Sequence, residues 1–450
     1  MRIGFRGGVH PKEFKELSRS APLREFNYSG EMVYPLAQNI GKPAKAVVQK
    51  GDRVLAGQMI GQADGFVSAN VICSCSGTVK AVEKRRTIAG TQTECVVVEN
   101  DGLFETVPGI GERQDVSQIT GDEIISKIAW AGIVGLGGAG FPTHVKLKPK
   151  DPAAIQYLII NGAECEPFLT CNDQLMRTFP DEIADGIEII LRLFPNAEAV
   201  MAIEDNKPEA AAAMSRAVQG RKAIRVQTLK TKYPQGGEKS LIRAIAGYDY
   251  PASMLPADVG CIVSNVGTVY AVERAVVYNE PLFRHVLTVS GTPVVSPSNF
   301  IVRDGTPFSA LIEEAGGIRE GADFKKALAG GPMMGVAISD LSAPVVKTTN
   351  GLTLLADDPA SDVDDDYHGC LSCGRCASVC PNGLMPMMMA NAAERGDYER
   401  YEKKLYGLEC FFCGSCTYIC PAKRPLTQTF KQMKAEILAM KRAAAAGDKK

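Results

Sequence analysis

The hydrophobic pattern changes its period several times along this chain. Residues 1–40 show little periodicity and are broken by Gly7, Gly8, Pro11, Pro22 and Pro35, which reads as an extended arm. From about residue 41, short alternating segments follow: AKAVVQKGDRVLAGQMIGQ, FVSANVICSCSGTVKAVEK and TECVVVEND. Turns at Lys50-Gly51-Asp52, Ala56-Gly57 and Ser76-Gly77 separate them, and this alternation predicts an all-β module. Thr120 followed by Asp122, Glu123 and IISKIAWAG predicts a capped helix. The buried-looking IQYLIING (155–162) opens an alternation of strands and helices, with EAVMAIED and IRVQTLK as further strands. That order predicts an α/β domain with a mostly parallel sheet. From about residue 285, HVLTVSGTPV, NFIVRDGT and FSALIEEAGG suggest a small β-grasp unit of strands and one helix. The expected divisions are therefore an arm and β module over 1–110, an α/β domain over 111–284 and the β-grasp unit over 285–356. A linker at 357–368, whose DDPASDVDDDY holds six Asp, leads to a helical domain over 369–450.

Composition narrows the function classes. A length of 450 residues suggests roughly three domains. A formal net charge of −1 gives no general attraction to nucleic acid, and no nucleic-acid partner is expected. The N-terminus MRIGFRGGVHPKEFKE lacks the apolar core of a signal peptide, and no run of eighteen or more apolar residues occurs. A cytoplasmic soluble protein or a peripheral subunit without a transmembrane segment is expected. Fourteen cysteines, most of them concentrated near the C-terminus, point to thiolate metal centres in a reducing compartment. Cys73 and Cys75 alternate with Ile72 and Ser74 in a strand and are expected to pack.

The strongest chemical signal is a repeated cysteine run, CLSCGRCASVCP at 370–381 and CFFCGSCTYICP at 410–421. Each is C-x2-C-x2-C-x3-C-P, the run with which bacterial two-cluster ferredoxins hold [4Fe–4S] cubanes, the fourth cysteine reaching to the other cluster. The expected ligands are Cys370, Cys373, Cys376 and Cys420 for one cluster, and Cys410, Cys413, Cys416 and Cys380 for the second. Zinc and disulfides are the alternatives, but zinc usually takes well-separated C-x2-C pairs. Twenty-nine residues between Cys380 and Cys410 favour a helical two-cluster form.

Upstream, Gly135-Leu-Gly137-Gly138-Ala-Gly140 matches G-x-G-x-x-G in form, yet a helix rather than a strand precedes it. A loop without side chains admits a phosphate or a flat ring to the backbone; a plain turn is the alternative. The stretch Gly236–Ser240 is not a phosphate loop, because Glu238 interrupts the Gly-Lys pairing.

Taken together, GLGGAGFPTHVKL, NGAECEP and YPQGGEKSL resemble the flavin and NADH motifs of the NADH-oxidising subunit of respiratory complex I. The β module resembles the barrel-sandwich fold of biotinyl and lipoyl domains without their acylated lysine. With this module, GGPMMG and the C-terminal cysteines added, the whole chain resembles the RnfC family of the Rnf electron-transport complexes. It ends soon after the clusters, whereas some of that family continue into an Ala/Lys-rich tail.

The resemblance implies a Rossmann-like FMN/NADH domain, an SLBB-like β-grasp domain and an α-helical two-cluster ferredoxin domain. It implies FMN contacts at Gly135, Gly137, Gly138, Lys146, Asn161, Glu164, Gly236 and Asn265. Phe141 would face the nicotinamide or adenine ring, and Glu166 and Glu238 would take NADH hydroxyl or amide groups. Leu136 and Ala163 stand where complex I has Arg and Asp, which implies a flavin held less tightly or at another angle.

The implied function is the NAD(H)-reactive peripheral subunit of a ferredoxin:NAD+ oxidoreductase that transports Na+ or H+, at the cytoplasmic face of the membrane. Its partners would be the other Rnf subunits, and ferredoxin through them. The diaphorase subunit of a soluble hydrogenase or formate dehydrogenase is the alternative, and usually lacks the module at 41–100. A nucleic-acid-binding protein with structural clusters is disfavoured by the near-neutral charge.

Overall fold

A computed structural model describes residues 4–88, 90–357 and 369–447; the acidic stretch 358–368 lies outside the described residues. The chain divides into two compact units. The larger holds 13–229 and 256–357, and the smaller holds 1–12, 230–255 and 358–450.

The arm is more than an extended lead. It carries a single 3-10 turn, Lys15–Leu17, and a strand β1 (Leu23–Phe26). The barrel-sandwich module follows, with β2 (Glu31–Pro35), β3 (Lys45–Ala46), β4 (Arg53–Val54), β5 (Met59–Gln62), β6 (Val71–Ile72), β7 (Gly77–Arg86) and β8 (Gln92–Asn100). These form one sheet in the order β2-β8-β7-β4 and another in the order β3-β5-β6. Alternate residues of each strand face a shared core containing Met32, Tyr34, Ile60, Val79 and Val96. Cys73 and Cys75 pack in that core as expected, but they follow the end of β6 instead of alternating within it, and Ile72 and Ser74 are buried as well.

Helix α1 (Gly121–Trp130) begins with a full capping box, in which the Thr120 hydroxyl accepts from the Glu123 N–H and Glu123 returns to Thr120. The glycine loop separates it from the single turn α2 (Thr143–Lys146). Then come β9 (Tyr157–Gly162), α3 (Cys171–Thr178), α4 (Pro180–Leu191), β10 (Glu198–Glu204), α5 (Pro208–Ala217) and β11 (Ile224–Leu229). The next helix, α6 (Glu238–Ala246), belongs to the smaller unit, and β12 (Cys261–Asn265) with α7 (Val266–Val277) resumes the larger one. The sheet order is β11-β10-β9-β12, with all neighbours parallel. Its central strands are buried on both faces, which accounts for their continuous apolar runs. The chain winds outward from β9 to β11 and returns to the other side of β9, so the switch point of this Rossmann-like sheet lies between β9 and β12.

The β-grasp part contains β13 (Arg284–Gly291), β14 (Ser298–Arg303), α8 (Phe308–Glu314), β15 (Lys326–Ala329), β16 (Val336–Ile338) and β17 (Gly351–Leu355). Its sheet runs β1-β14-β13-β17-β15-β16, with β1 of the arm parallel to β14 at the edge. The smaller unit adds α9 (Arg375–Ser378), α10 (Pro386–Glu394), α11 (Ser415–Tyr418) and α12 (Leu426–Gly447). The segment expected to continue the 111–284 domain thus leaves it at residue 230 and packs with the cysteine region. Hydrogen bonds from Tyr233, Lys239 and Ala252 to residues 409–413 hold it there.

Helix α7 packs on α4 closely enough that a Cβ on Gly186 would lie 2.5 Å from the Val269 carbonyl. Glu273 faces the same contact, is only 2% exposed, and burial pushes its carboxyl up to about 7 from 4.5. The folded state therefore keeps a proton that the unfolded chain releases between these values, so this group lowers stability as pH rises from 4.5 to 7. Glu273→Gln should remove that slope, a difference of up to about 3 kcal/mol between acid and neutral pH. Urea unfolding of both proteins across this pH range is the check, and parallel curves would refute it.

Candidate functional site

The larger unit presents its candidate site at the switch point, outside the carboxyl ends of β9 and β12. Asn265 ends β12, and its register partner Asn161 stands one residue before the end of β9. Each side chain folds onto the turn after its strand, Asn161 accepting from the Ala163 N–H at 3.2 Å and Asn265 from the Gly267 N–H at 2.8 Å. Asn265 thereby caps α7, a placement that suits its short polar side chain.

The glycine loop is anchored at its ends and exposed at its tip. The Gly135 N–H donates to the Phe141 carbonyl, the Gly140 N–H to the Gly135 carbonyl, and the Leu136 N–H to the Thr268 hydroxyl in the first turn of α7. Residues 137–139 are exposed, with Gly138 at φ 100, a conformation that favours glycine. A Cβ on Gly137 would touch Asn265 at 3.5 Å, so the loop tip and the strand end adjoin. Lys146 donates to the Val263 carbonyl at 3.1 Å, in the middle of β12. Leu136 is buried in the α/β core. Gly135, Gly137, Asn161, Asn265 and Lys146 are thus brought to one edge of the sheet, with Phe141 half-buried at the loop's foot. A side-chain-free surface beside two amides fits a planar ring bearing a phosphate, which the backbone of such a loop can approach.

The acidic turn is held by its own hydrogen bonds. Glu164 is buried in the left-handed region, at φ 49. Its carboxylate accepts from the N–H groups of Asn172 (2.7 Å) and Asp173 (3.3 Å), capping α3 from outside. Burial pushes this carboxyl up, against the pull of Lys15 and Lys207. The Glu166 carboxylate accepts from the Met333 N–H at 3.0 Å, in the GGPMMG turn. A Cβ on Gly331 would fall 2.4 Å from that carboxylate, which explains the glycine.

Sequence reasoning missed Lys15. It lies in the arm, is 6% exposed, and donates to the Glu166 carbonyl (3.0 Å) and the Leu169 carbonyl (2.5 Å). Burial pushes its pKa down. Phe14 stacks on Phe168 at 4.5 Å, and Ser18 bonds Thr170 at 2.7 Å, so the arm straps the whole acidic turn. A single lysine in an irregular segment carries no local signal of such a role.

The smaller unit holds the remaining expected residues. Gly236 and Glu238 sit at the start of α6, and the Tyr250 hydroxyl donates to Glu238 at 3.4 Å. Tyr233, joined to Pro234 by a cis bond, is buried beneath them. The eight cysteines fall into two groups of four around two small cavities. Cys370, Cys373, Cys376 and Cys420 line one, with Met387 and Leu426. Cys380, Cys410, Cys413 and Cys416 line the other, with Met389, Phe412 and Phe430. Each group takes three thiols from one run and the fourth from the other. Among the described residues no three Cys, His, Asp or Glu converge as ligands of a single ion do. Four thiols spread around an apolar cavity suit the corners of a cubane. Burial pushes the Cys410 and Cys416 thiols up to about 12, so thiolates there call for the positive charge that iron supplies. The Leu384 and Phe412 N–H groups already point at the Cys380 and Cys410 sulfurs, at 3.3 and 3.4 Å.

Comparison with known proteins defines the class first. Family models match in chain order: the RnfC barrel sandwich hybrid domain at 3–103, the Nuo51 FMN-binding domain at 128–274, the SLBB domain at 286–337 and the 4Fe-4S dicluster domain at 369–423. This is the domain set of an iron–sulfur flavoprotein. Among full-length relatives, the RnfC protein of the proton-translocating ferredoxin:NAD(+) oxidoreductase complex of Clostridium ljungdahlii is 40% identical, over 97% of this chain and 94% of that one. Its counterpart in the Na(+)-translocating complex of Acetobacterium woodii is 38% identical, over 97% and 98%. The chain belongs to this family, the RnfC proteins of the ion-translocating ferredoxin:NAD(+) oxidoreductase (Rnf) complexes. In fold it is similar to a chain of an NAD+-reducing [NiFe]-hydrogenase, at 19% identity and a TM-score of 0.50 over 72% of this chain and 67% of that one.

Replacing Lys15 by Met leaves two buried carbonyls without their donor and should cost about 2–3 kcal/mol. Bound flavin should also be lost more readily, through the displaced acidic turn. Urea unfolding midpoints and flavin fluorescence after gel filtration measure both, and native values in both would rule out the strap.

Proposed function

We propose that this chain is the NAD(H)-reactive subunit of an Rnf complex, passing electrons between NAD(H), FMN and two [4Fe–4S] clusters. The observation that carries the reading is the combination in one chain of a flavin motif at a sheet switch point and two four-thiol cavities. Bound FMN supplies the exchange between the two-electron hydride of nicotinamide and the one-electron chemistry of a cluster.

The protein's own part is positioning and exclusion of water. The exposed backbone at 137–139 lies against the cofactor, and Asn161, Asn265 and Lys146 offer polar contacts at the sheet edge. Gly135 and Glu164 complete the FMN contacts of the larger unit, with Glu164 held by α3. Phe141 walls the nicotinamide side, and Glu166 takes an NADH hydroxyl or amide group. Hydride transfer needs no general acid or base, which agrees with four histidines spread through the sequence at 10, 144, 285 and 368. The ligands are Cys370, Cys373, Cys376 and Cys420 for one cluster and Cys380, Cys410, Cys413 and Cys416 for the second.

Membership in the family places the chain in a multi-subunit complex, and its partners here are the membrane-embedded and redox subunits of that complex, with ferredoxin reached through them. Among the described residues no helix is long and apolar enough to cross a membrane, which fits a peripheral subunit at the cytoplasmic face. Relatives of nearly equal identity are named for H+ and for Na+, so similarity alone does not choose the coupling ion. The match of residues 3–103 to a domain named for this family favours the Rnf reading over a soluble diaphorase.

Protein purified without oxygen should carry about eight iron and one FMN per chain, and NADH should bleach the flavin band. Iron without flavin would defeat the reading. Cys420→Ser should damage only the cluster whose other three ligands lie in the first run, and Cys380→Ser only the second, as reduced-state EPR would show. Damage within the variant's own run would refute the crossed ligation.

A further inference from the structure

The two cysteine runs repeat one backbone but differ at the residue before the third cysteine. The first reads Cys373-Gly374-Arg375-Cys376 and the second Cys413-Gly414-Ser415-Cys416. Gly374 and Gly414 are both left-handed, at φ 74 and φ 82, and the residue after each opens a one-turn helix. The fold thus offers the same place twice. In the first run that place is exposed and holds a guanidinium. In the second it is fully buried and holds a hydroxyl.

Ser415 lines the second cavity beside Cys413. The Cys413 thiol donates to its Oγ at 3.4 Å, and that sulfur is the one hydrogen-bond partner the hydroxyl has among the described residues. A buried hydroxyl is seldom left without a partner, and this one is committed to a ligand sulfur. A hydroxyl turns about its C–O bond and can donate or accept. Once iron holds Cys413 as a thiolate, the sulfur has no proton to give, and Ser415 becomes the donor. A hydrogen bond to a charged acceptor is roughly twice as strong as a neutral one. The Leu384 and Phe412 N–H groups on Cys380 and Cys410 come with the backbone, whereas this hydroxyl is set by the sequence.

We propose that Ser415 is a positioning residue that acts through Cys413: its hydroxyl donates to the Cys413 thiolate and raises the potential of the cluster held by Cys380, Cys410, Cys413 and Cys416. This rests on the ligand assignments proposed above. Reduction adds one electron, taking [4Fe–4S]2+ to [4Fe–4S]+; the proton stays on Ser415, and no covalent bond forms or breaks. The added charge spreads over the sulfurs, so the bond that Ser415 donates is stronger after the electron arrives than before. That difference favours the reduced form, and hydrogen bonds to the sulfurs are among the factors that set cluster potentials. Arg375 stands in the same register, but water and salt screen its exposed charge.

EPR-monitored redox titration of the anaerobically purified holoprotein tests this, the second cluster's signal being the one that Cys380→Ser damages. Ser415→Ala should weaken that cluster's affinity for its electron about tenfold, a midpoint about 59 mV lower. The first cluster's midpoint should not move. Ser415→Thr keeps the hydroxyl and should restore the native value, which a role in packing alone would not do. An unmoved second midpoint in Ser415→Ala, equal shifts in both clusters, or a Thr value that matches Ala overturns the proposal. Should Ser415→Ala fail to hold its iron, the exposed position 375 decides. Arg375→Ser should give the first cluster a higher midpoint than Arg375→Ala, and equal midpoints overturn the proposal. Two reducible clusters with unmoved midpoints defeat only the role of Ser415, whereas native protein without cubane signals defeats the function on which it rests.

Discussion

The Lys347 ammonium donates to the Asn70 carbonyl of the barrel-sandwich module and to the Gly132 carbonyl after α1, while its own backbone belongs to the β-grasp part. Its N–H also donates to the Gln38 side chain. Stranding a charge away from water is costly, and burial pushes this pKa down to about 8, yet near-neutral pH still leaves the group charged. The cost is tolerable only while both carbonyls stay in place, so the contact fixes three folded parts of the larger unit against one another. Gly132, at φ 64, has no room for a Cβ, which would sit 2.4 Å from the Asn70 carbonyl. Gly132 is where the glycine loop starts. At its far end, the Ile40 N–H donates to the Gly140 carbonyl. The barrel-sandwich module therefore braces both ends of the candidate flavin loop, a structural use of a fold that elsewhere presents an acylated lysine.

Lys15 does the same for the acidic turn, again through backbone carbonyls. Its ammonium holds the loop through those carbonyls, and its charge also pulls the Glu164 carboxyl down against burial. The Glu164 carboxylate meanwhile accepts from the first turn of α3 and the Glu166 carboxylate from the GGPMMG turn. The elements around the switch point thus come from the arm, the β module, the α/β sheet and the β-grasp part together.

Much of this was legible in the sequence, because it is written locally. Period-two alternation marked the barrel-sandwich strands, continuous apolar runs marked β9 and β10, and the cysteine spacing implied two groups of four. The glycine loop was recognised for its lack of side chains, and its placement after a helix was correctly read as unlike an ordinary dinucleotide turn. What could not be read was non-local. Lys15 and Lys347 look like any surface lysine until partners more than a hundred residues away are known. The arm read only as extended because β1 completes a sheet whose other strands lie far along the chain. The segment 230–255 has the helix and glycines of an α/β domain, and only its bonds to residues 409–413 reveal that it folds with the cysteines.

The cysteine region explains why such a small assembly needs its metal. Its apolar core draws on Met389, Tyr401, Phe430, Met433 and Ile437, with Cys376 and Cys416 buried among them. A core this small contributes limited stability on its own. The two runs are near repeats, each with a left-handed glycine, Gly374 or Gly414, before a one-turn helix, α9 or α11. Yet neither run can complete a cluster alone, because Cys380 and Cys420 are exchanged between the cavities. Bound clusters would therefore tie the two runs, offset by forty residues in the sequence, at two points and hold as thiolates groups that burial otherwise keeps protonated. Metal binding and folding are coupled under those conditions. The same exchange links the two cavities through Cys380 and Cys420, so the residues that would stabilise the region once loaded are also the ones that would hold its electron carriers.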